Sequence, residues 1–236
     1  MRIATWNVQW CRGLDGRVDP ARIAAELRRL GEPEVACLQE LACGFAELAG
    51  SRGEDQAAAL AQALPECDAV VAWAVDLPGA GRARKRFGNL LLSRLPVGRV
   101  RRHSLPWPAS PEAPTMPRIA VEATVSAPFG PVRVVSTHFE YYSARHRGAQ
   151  VARLAELHAE WQAQRKDPGE PGPFDADVNH ALEGQHERRL VDHDLGRTHA
   201  DRIGTDFLNP RETADRLLMP LQPGFGEGTP IAHVKA

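Results

Sequence analysis

The chain has 236 residues, 43% of them hydrophobic and 25% charged, with a formal net charge of -1. That composition fits one globular domain or two small ones, long enough to bury a core, and it excludes a polybasic or polyacidic protein while leaving room for a local basic face. No apolar run reaches the ~18 residues of a membrane span, the segment Met1 to Val8 is β-like rather than the apolar stretch of a leader, and Cys11, Cys37, Cys43 and Cys67 form no CxxC pair, so a reduced, cytoplasmic protein without zinc or disulfides is expected.

Residues 2–8 alternate and end in polar residues, as a strand does when it delivers side chains to a rim. Asp19-Pro20 predicts a helix start, with Ile23, Leu27 and Leu30 at helical spacing and Gly31 as the stop. A second strand is expected over 34–39, ending at Glu40. Residues 54–64 look helical, 69–75 read as a buried strand and 88–93 (GNLLLS) as a further apolar run. Residues 118–125 alternate with period two. A turn at Phe129-Gly130-Pro131 precedes a strand over 132–137 that ends at His138. Val151, Leu154, Leu157 and Trp161 give 143–164 a helical spacing. Interleaved strands and helices with two hairpin segments predict an α/β (α+β) fold with a mixed sheet. After about residue 166 the character changes: KDPGEPGP (166–173) reads as a linker, and beyond it the only strand candidate is around Ile231 to Val234.

Four polar residues stand at strand ends or beside an apolar run: Asn7, Glu40, Asn89 and His138. Strand ends converge at a rim, so these side chains can share a pocket. A carboxylate beside an amide and an imidazole suits Mg²⁺, which takes oxygen ligands and keeps several waters. Glu40 would then hold the metal, the metal would neutralise a phosphoryl oxygen and activate water, and His138 would donate a hydrogen bond to another phosphoryl oxygen. Each residue also has a plainer reading: Asn7 as a turn residue, Glu40 as a solvated strand end, His138 as a structural or surface imidazole. Only their combination favours chemistry.

The combination carries a resemblance. Ile3-Ala4-Thr5-Trp6-Asn7, Val35-Ala36-Cys37-Leu38-Gln39-Glu40, Gly88-Asn89-Leu90-Leu91-Leu92-Ser93-Arg94, Thr137-His138-Phe139 and Arg147-Gly148-Ala149-Gln150 followed by Leu154 resemble, in order, five motifs of the endonuclease/exonuclease/phosphatase (DNase I-like) family. The resemblance implies a four-layered αββα sandwich and Mg²⁺- or Mn²⁺-dependent phosphoester hydrolysis. By position it implies Asn7 and Glu40 as the metal pair and His138 as the phosphate-binding histidine. Asn89 and Arg118 would be supports or substrate contacts. The substrates of that family include nucleic acids, phosphoinositides and small phosphoesters, so a phosphoester partner is implied without selecting one, and no protein partner is evident.

The family pattern then falters. Its G-D-x-N motif has only Asp177-Val178-Asn179 as a candidate, with no Gly and no apolar strand before it. Asp177 and Asn179 would orient the attacking water and the leaving oxygen; otherwise they belong to a polar loop. No terminal S-D-H is present, and Asp192-His193 is the one Asp-His pair, placed early for that role. Without that pair, positioning and electrostatic stabilisation would be much weaker. The expected organisation is therefore a core over 1–165 and an atypical segment over 166–236, with the sandwich incomplete or irregular after about residue 170. That segment is either a variant that rebuilds the site or a frame-shifted tail on a truncated domain, and an inactive member retaining metal or phosphate binding is the alternative to an enzyme.

Residues 82–102 contain Arg82, Arg84, Lys85, Arg86, Arg94, Arg99, Arg101 and Arg102 and no acid. They read either as a phosphate-facing patch or as a solvated basic loop. Trp73 and Trp107 are candidates to stack on bases, with burial the plainer reading of Trp73 and a cleft-lining place that of Trp107.

Overall fold

The computed structural model describes residues 1–111, 113–166, 219–220 and 232–234. Two sheets pack face to face. The first runs β3 (Asp68–Pro78), β4 (Arg84–Ser93), β2 (Val35–Cys43), β1 (Arg2–Asn7) and β8 (Met219–Pro220) in spatial order. The second runs β5 (Val97–Ser104), β6 (Ile119–Ala127), β7 (Gly130–Thr137) and β9 (Ala232–Val234). Three helices complete the described elements: α1 (Pro20–Arg29), α2 (Gln56–Ala63) and α3 (Ala144–Lys166).

Three apolar clusters define the layers. Ile23, Ala24 and Leu27 of α1 and Ala57 and Leu60 of α2 pack on Ala36, Leu38, Leu90 and Leu92 of the first sheet. The other face of that sheet, with Val35, Cys37, Val70 and Leu91, meets Val121, Ala123, Val132 and Val134 of the second. Ala120 and Val135 face outward against Leu154 of α3. The order is helix, sheet, sheet, helix. Strand β2 is apolar on both faces because both are covered, which is why its sequence reads as a continuous run.

Local chemistry sets the boundaries. Asp19 caps α1 by accepting from the Arg22 N–H, and Pro20 occupies the first turn. Asp55 caps α2 through the Ala58 N–H. Strands β1 and β2 are parallel, joined by α1 as a crossover. Strands β6 and β7 form a hairpin through the Phe129–Gly130 turn.

Several boundaries differ from the sequence reading. Strand β2 does not stop at Glu40 but bulges there and continues to Cys43. Strand β3 extends to Pro78 and its outer half is exposed. The basic segment 82–102 is no loop: Arg84–Arg86 open β4, and Arg99, Arg101 and Arg102 lie in β5. Beyond residue 166, β9 falls where a strand was expected and pairs in parallel with β7, while β8, which pairs antiparallel with β1, was not anticipated.

Candidate active site

Register places the first two side chains together. Asn7 pairs with Gln39 at the end of the parallel β1–β2 ladder, so Glu40 follows directly beside it. Strand β2 loses register with β4 between Leu38 and Leu41, and Glu40 sits in that bulge with φ 62°. Its carbonyl accepts from the Trp10 N–H at 2.7 Å. After Asn7 the chain turns through Gln9, Trp10 and Cys11, with φ of 47°, 44° and 58°, and the Asn7 Oδ1 accepts from the Gln9 N–H at 3.0 Å. Four non-glycine residues in the left-handed region around one carboxylate is stored strain of a kind that clusters at functional sites. The Asn7 side chain also hydrogen-bonds the Glu40 carboxylate.

The second pair comes from the other sheet. Ala120 pairs with Thr137, so Arg118 and His138 flank each other just beyond β6 and β7. The Arg118 Nη1 lies 3.1 Å from His138 Nδ1, and the same Nδ1 lies 3.4 Å from Glu40 Oε1. One short open cleft is lined by Glu40, Gly88, Asn89, Arg118 and His138. Burial pushes the Glu40 carboxyl above its ordinary value, against the Asn7 hydrogen bond and the Arg118 charge. Burial and then the Arg118 charge lower His138 to about 4, so the imidazole is neutral at pH 7.

The two sheets are pinned together under this cleft. Asn89 Nδ2 of the first sheet donates to the Ile119 carbonyl of the second at 3.0 Å, a carbonyl that also accepts from Thr137 Oγ1 within the second sheet at 3.0 Å. Gln39 Nε2 donates to Ser136 Oγ at 3.2 Å. Gly88 is required beside Asn89, because a Cβ there would meet the Ala72 carbonyl oxygen at 2.0 Å. On the loop after β7, Gln150 of α3 accepts from the Glu140 N–H at 2.9 Å and donates to the Pro106 carbonyl at 3.2 Å.

The donor set suits a hard cation. Among the described residues no group of three or more His, Cys, Asp or Glu forms a closed cage. Mg²⁺ needs none, since one or two carboxylates, its waters and substrate oxygens complete its octahedron. Glu40, still accessible and supported by Asn7, fits that pattern.

Asn7, Glu40, Asn89, Arg118 and His138 are thus gathered at one rim from both sheets. Asp177, Asn179 and the Asp192-His193 pair lie outside the described residues. The basic segment does not form a uniform phosphate-facing patch. Arg84 and Arg86 pair with Asp76, Lys85 with Glu47 and Arg94 with Glu32, while Arg102 donates to the Val71 carbonyl. Trp73 packs against the helix-side core. Trp107 is 52% exposed, its Nε1 donating to Thr115 Oγ1. Glu140, which grips Arg118 from behind, was not singled out from the sequence. Its signal was a lone carboxylate two residues past His138 in an aromatic stretch.

The family model for the endonuclease/exonuclease/phosphatase family matches residues 4–173, and the chain belongs to that family. An endonuclease/exonuclease/phosphatase from Beutenbergia cavernae is similar in structure with a TM-score of 0.54 and 28% identity, over 66% of this chain and 43% of that one. One from Bacteroides vulgatus aligns with a TM-score of 0.49 and 19% identity, over 66% and 59% of the two chains. A conserved protein of unknown function from Enterococcus faecalis aligns at 0.49 and 22%, over 67% and 61%. The matched part of this chain therefore spans between 43% and 61% of those relatives. No curated protein matches the sequence.

Proposed function

We propose that the protein is a divalent-metal-dependent phosphoester hydrolase acting on a phosphodiester. The observation that carries the reading is the meeting of the Glu40 carboxylate, the neutral His138 imidazole and the Arg118 guanidinium within 3.4 Å contacts at one cleft. Glu40 and Asn7 would hold Mg²⁺ or Mn²⁺, which when bound supplies charge neutralisation at a phosphoryl oxygen and a more acidic water. His138 engages a phosphoryl oxygen as a neutral imidazole, and Arg118 adds a fixed positive charge beside it. Asn89 holds the cleft floor and contacts substrate. Asp177 and Asn179 are assigned to orient the water and the leaving oxygen. Residues 1–165 form the core, with 166–236 an atypical segment that would supply Asp177 and Asn179, and the protein is assigned to the cytoplasm, a reading that its free cysteines support.

Nucleic acid is a substrate class that the exposed aromatics favour. Trp107, Tyr141 and Tyr142 lie on the two loops that lead to Arg118 and His138, and all three are more than half exposed. Such rings stack on bases without reading sequence. No helix among the described residues is long and apolar enough to cross a membrane.

The test is turnover of bis(p-nitrophenyl) phosphate with Mn²⁺. Activity is expected in the wild type, lost with chelator and in Glu40→Ala and His138→Ala. Equal activity in the wild type and Glu40→Ala removes the mechanism. One observation favours a second reading, an inactive member that retains metal or phosphate binding: Glu40 is the only carboxylate among the described residues that line the cleft. Calorimetry with Mn²⁺ and a nucleotide separates the two, since binding without turnover supports the second.

A further inference from the structure

Glu140 takes no part in the chemistry above, yet it is among the most completely enclosed side chains of the molecule, with no exposure at all. Its Oε2 accepts from the Arg118 Nε and lies 3.3 Å from the Arg118 Nη2. The Met116 N–H donates to the same oxygen at 3.3 Å, and the Tyr142 N–H donates to Oε1 at 3.0 Å. Its own backbone is fixed as well, by Gln150 at the N–H and by Arg147 at the carbonyl. Burial raises its carboxyl, but the Tyr142 N–H, the Arg118 charge and the Met116 N–H outweigh it, and the group is held below its usual range. Glu140 is therefore an immobile anion that grips one edge of the guanidinium.

Gripping Nε and Nη2 leaves Nη1 aimed at His138 Nδ1, 3.1 Å away. A guanidinium has donors only and does not lose its proton. Nδ1 must then offer a lone pair, and the hydrogen of the neutral ring must sit on Nε2. A competing pull comes from Glu40, whose Oε1 lies 3.4 Å from the same Nδ1. A carboxylate alone at that position would draw the hydrogen onto Nδ1. The ring thus stands between two carboxylates that favour opposite tautomers, one directly and one through Arg118.

We propose that Glu140 is a positioning residue: by orienting Arg118 it fixes His138 as the Nε2–H tautomer, so that His138 meets the substrate as a hydrogen-bond donor rather than as a base. The kinetic consequence rests on the phosphoester reading, but the tautomer does not. Which nitrogen carries the hydrogen follows from the partner of the other one.

The experiment is a long-range ¹H–¹⁵N correlation spectrum of the full chain, ¹⁵N-labelled and metal-free at pH 7.5. The His138 signals are assigned by their loss in His138→Gln. The wild type is expected to show an unprotonated Nδ1 and a protonated Nε2. Glu140→Ala is expected to move the hydrogen toward Nδ1, and Glu140→Gln, which still accepts from Arg118, to restore the wild-type pattern. Should Glu140→Ala not fold, Arg118→Met makes the same test by removing the donor to Nδ1. A wild type with the hydrogen on Nδ1 overturns the proposal without any variant, and so does an unchanged tautomer in folded Glu140→Ala or in Arg118→Met. In turnover with Mn²⁺, Glu140→Ala is expected to lower kcat at least tenfold with KM within twofold, with Glu140→Gln recovering most of the loss. A wild type lacking turnover but showing the Nε2–H tautomer fails the hydrolase reading alone. An active, Glu40-dependent wild type with the Nδ1–H tautomer fails this inference alone.

Discussion

Arg133→Met tests how the fourth layer is held to the sheet that carries His138. Arg133 on β7 donates to Glu122 of β6 at 2.9 Å, and His103 of β5 meets the same carboxylate oxygen at 2.9 Å. The Arg133 and Glu122 side chains are 4% and 6% exposed. The guanidinium also lies 5.2 Å from the Trp161 ring and 3.4 Å from His158, both on α3. Removing one partner of a buried pair typically costs about 3–5 kcal/mol, because the other charge is left uncompensated. Here His103 remains beside Glu122 and methionine keeps the packing on Trp161, so the low end, about 3 kcal/mol, is expected. For a chain of this size that is roughly 6–12 °C in Tm. The pH dependence has a definite sign. Burial raises Glu122, but the hydrogen bond and charge of Arg133, then His103, outweigh it and leave its carboxyl depressed in the fold. Its contribution is therefore present above the unfolded carboxylate value, about 4.3, and is lost as pH falls through the lower folded value. Thermal unfolding at pH 7 and at pH 3.5 is the assay. The gap between wild type and Arg133→Met should be widest at pH 7 and shrink in acid, and Glu122→Leu combined with Arg133→Met should return near wild type. A single variant within about 1 kcal/mol of wild type at pH 7, or a gap equal at both pH values, refutes the reasoning.

Gly88→Ala places a Cβ 2.0 Å from the Ala72 oxygen and 2.9 Å from the Trp73 Cα. Both are backbone atoms of β3, so the strands must part, at about 1–3 kcal/mol. Denaturant unfolding should register that loss, and turnover should fall because Asn89 moves with the strand. The cysteines divide by burial: Cys11 and Cys37 are enclosed and pushed up to about 12, chiefly by desolvation. A chromogenic disulfide reagent at pH 8 should label Cys43 and Cys67 first and reach Cys11 and Cys37 only on unfolding. Four thiols reacting at one rate would contradict the packing.

The strands that build the site were legible because they alternate or run apolar and are bounded by polar residues. Asn7 and His138 stand where expected strands end and Asn89 opens an apolar run, and register then brings them together. Strand β5 was hidden by its charges. It is the edge of its sheet, where long basic side chains are tolerated, and Val97 and Val100 alone face the core. The first half of β4 was hidden in the same way, since its arginines are matched across the strand pair by Asp76, an acid that lies outside the basic run. Two features of the site have no local signature. The bulge at Glu40 is met by the Trp10 N–H and closes where Leu41 pairs with Gly88, and the role of Glu140 depends on Arg118, Met116 and Gln150, which only the tertiary fold assembles.

Much of what makes the five motifs specific is structural. Gln39, bonded to Ser136, and Asn89 pin sheet to sheet, Thr137 ties β7 to β6, Gly88 allows a close backbone approach, and Arg147 and Gln150 secure a loop. A chain that kept the fold would keep these residues whether or not it turned over substrate, so they do not discriminate an enzyme from an inactive relative. Glu40 does. Its φ of 62° is costly for a side chain of its kind, at roughly 1–2 kcal/mol, and its carboxylate is partly desolvated, which raises its pKa. The backbone bond from Trp10 is to its carbonyl, so any residue at position 40 preserves it. The fold gains little from this carboxylate beyond the Asn7 hydrogen bond and the attraction of Arg118, which together do not offset its burial. Glu40→Gly therefore relieves the left-handed strain and the desolvated charge. Against that stand the lost Asn7 bond, the lost attraction of Arg118 and the greater freedom of glycine in the unfolded chain, at about 0.5–1 kcal/mol. A net gain of up to about 1 kcal/mol is expected at pH 7 in metal-free protein, measured by denaturant unfolding, together with complete loss of Mn²⁺-dependent turnover. Stabilisation with loss of activity marks a residue kept for chemistry at the expense of the fold. A loss of 1 kcal/mol or more would make Glu40 a structural strut and remove the physical reason for calling this cleft an active site.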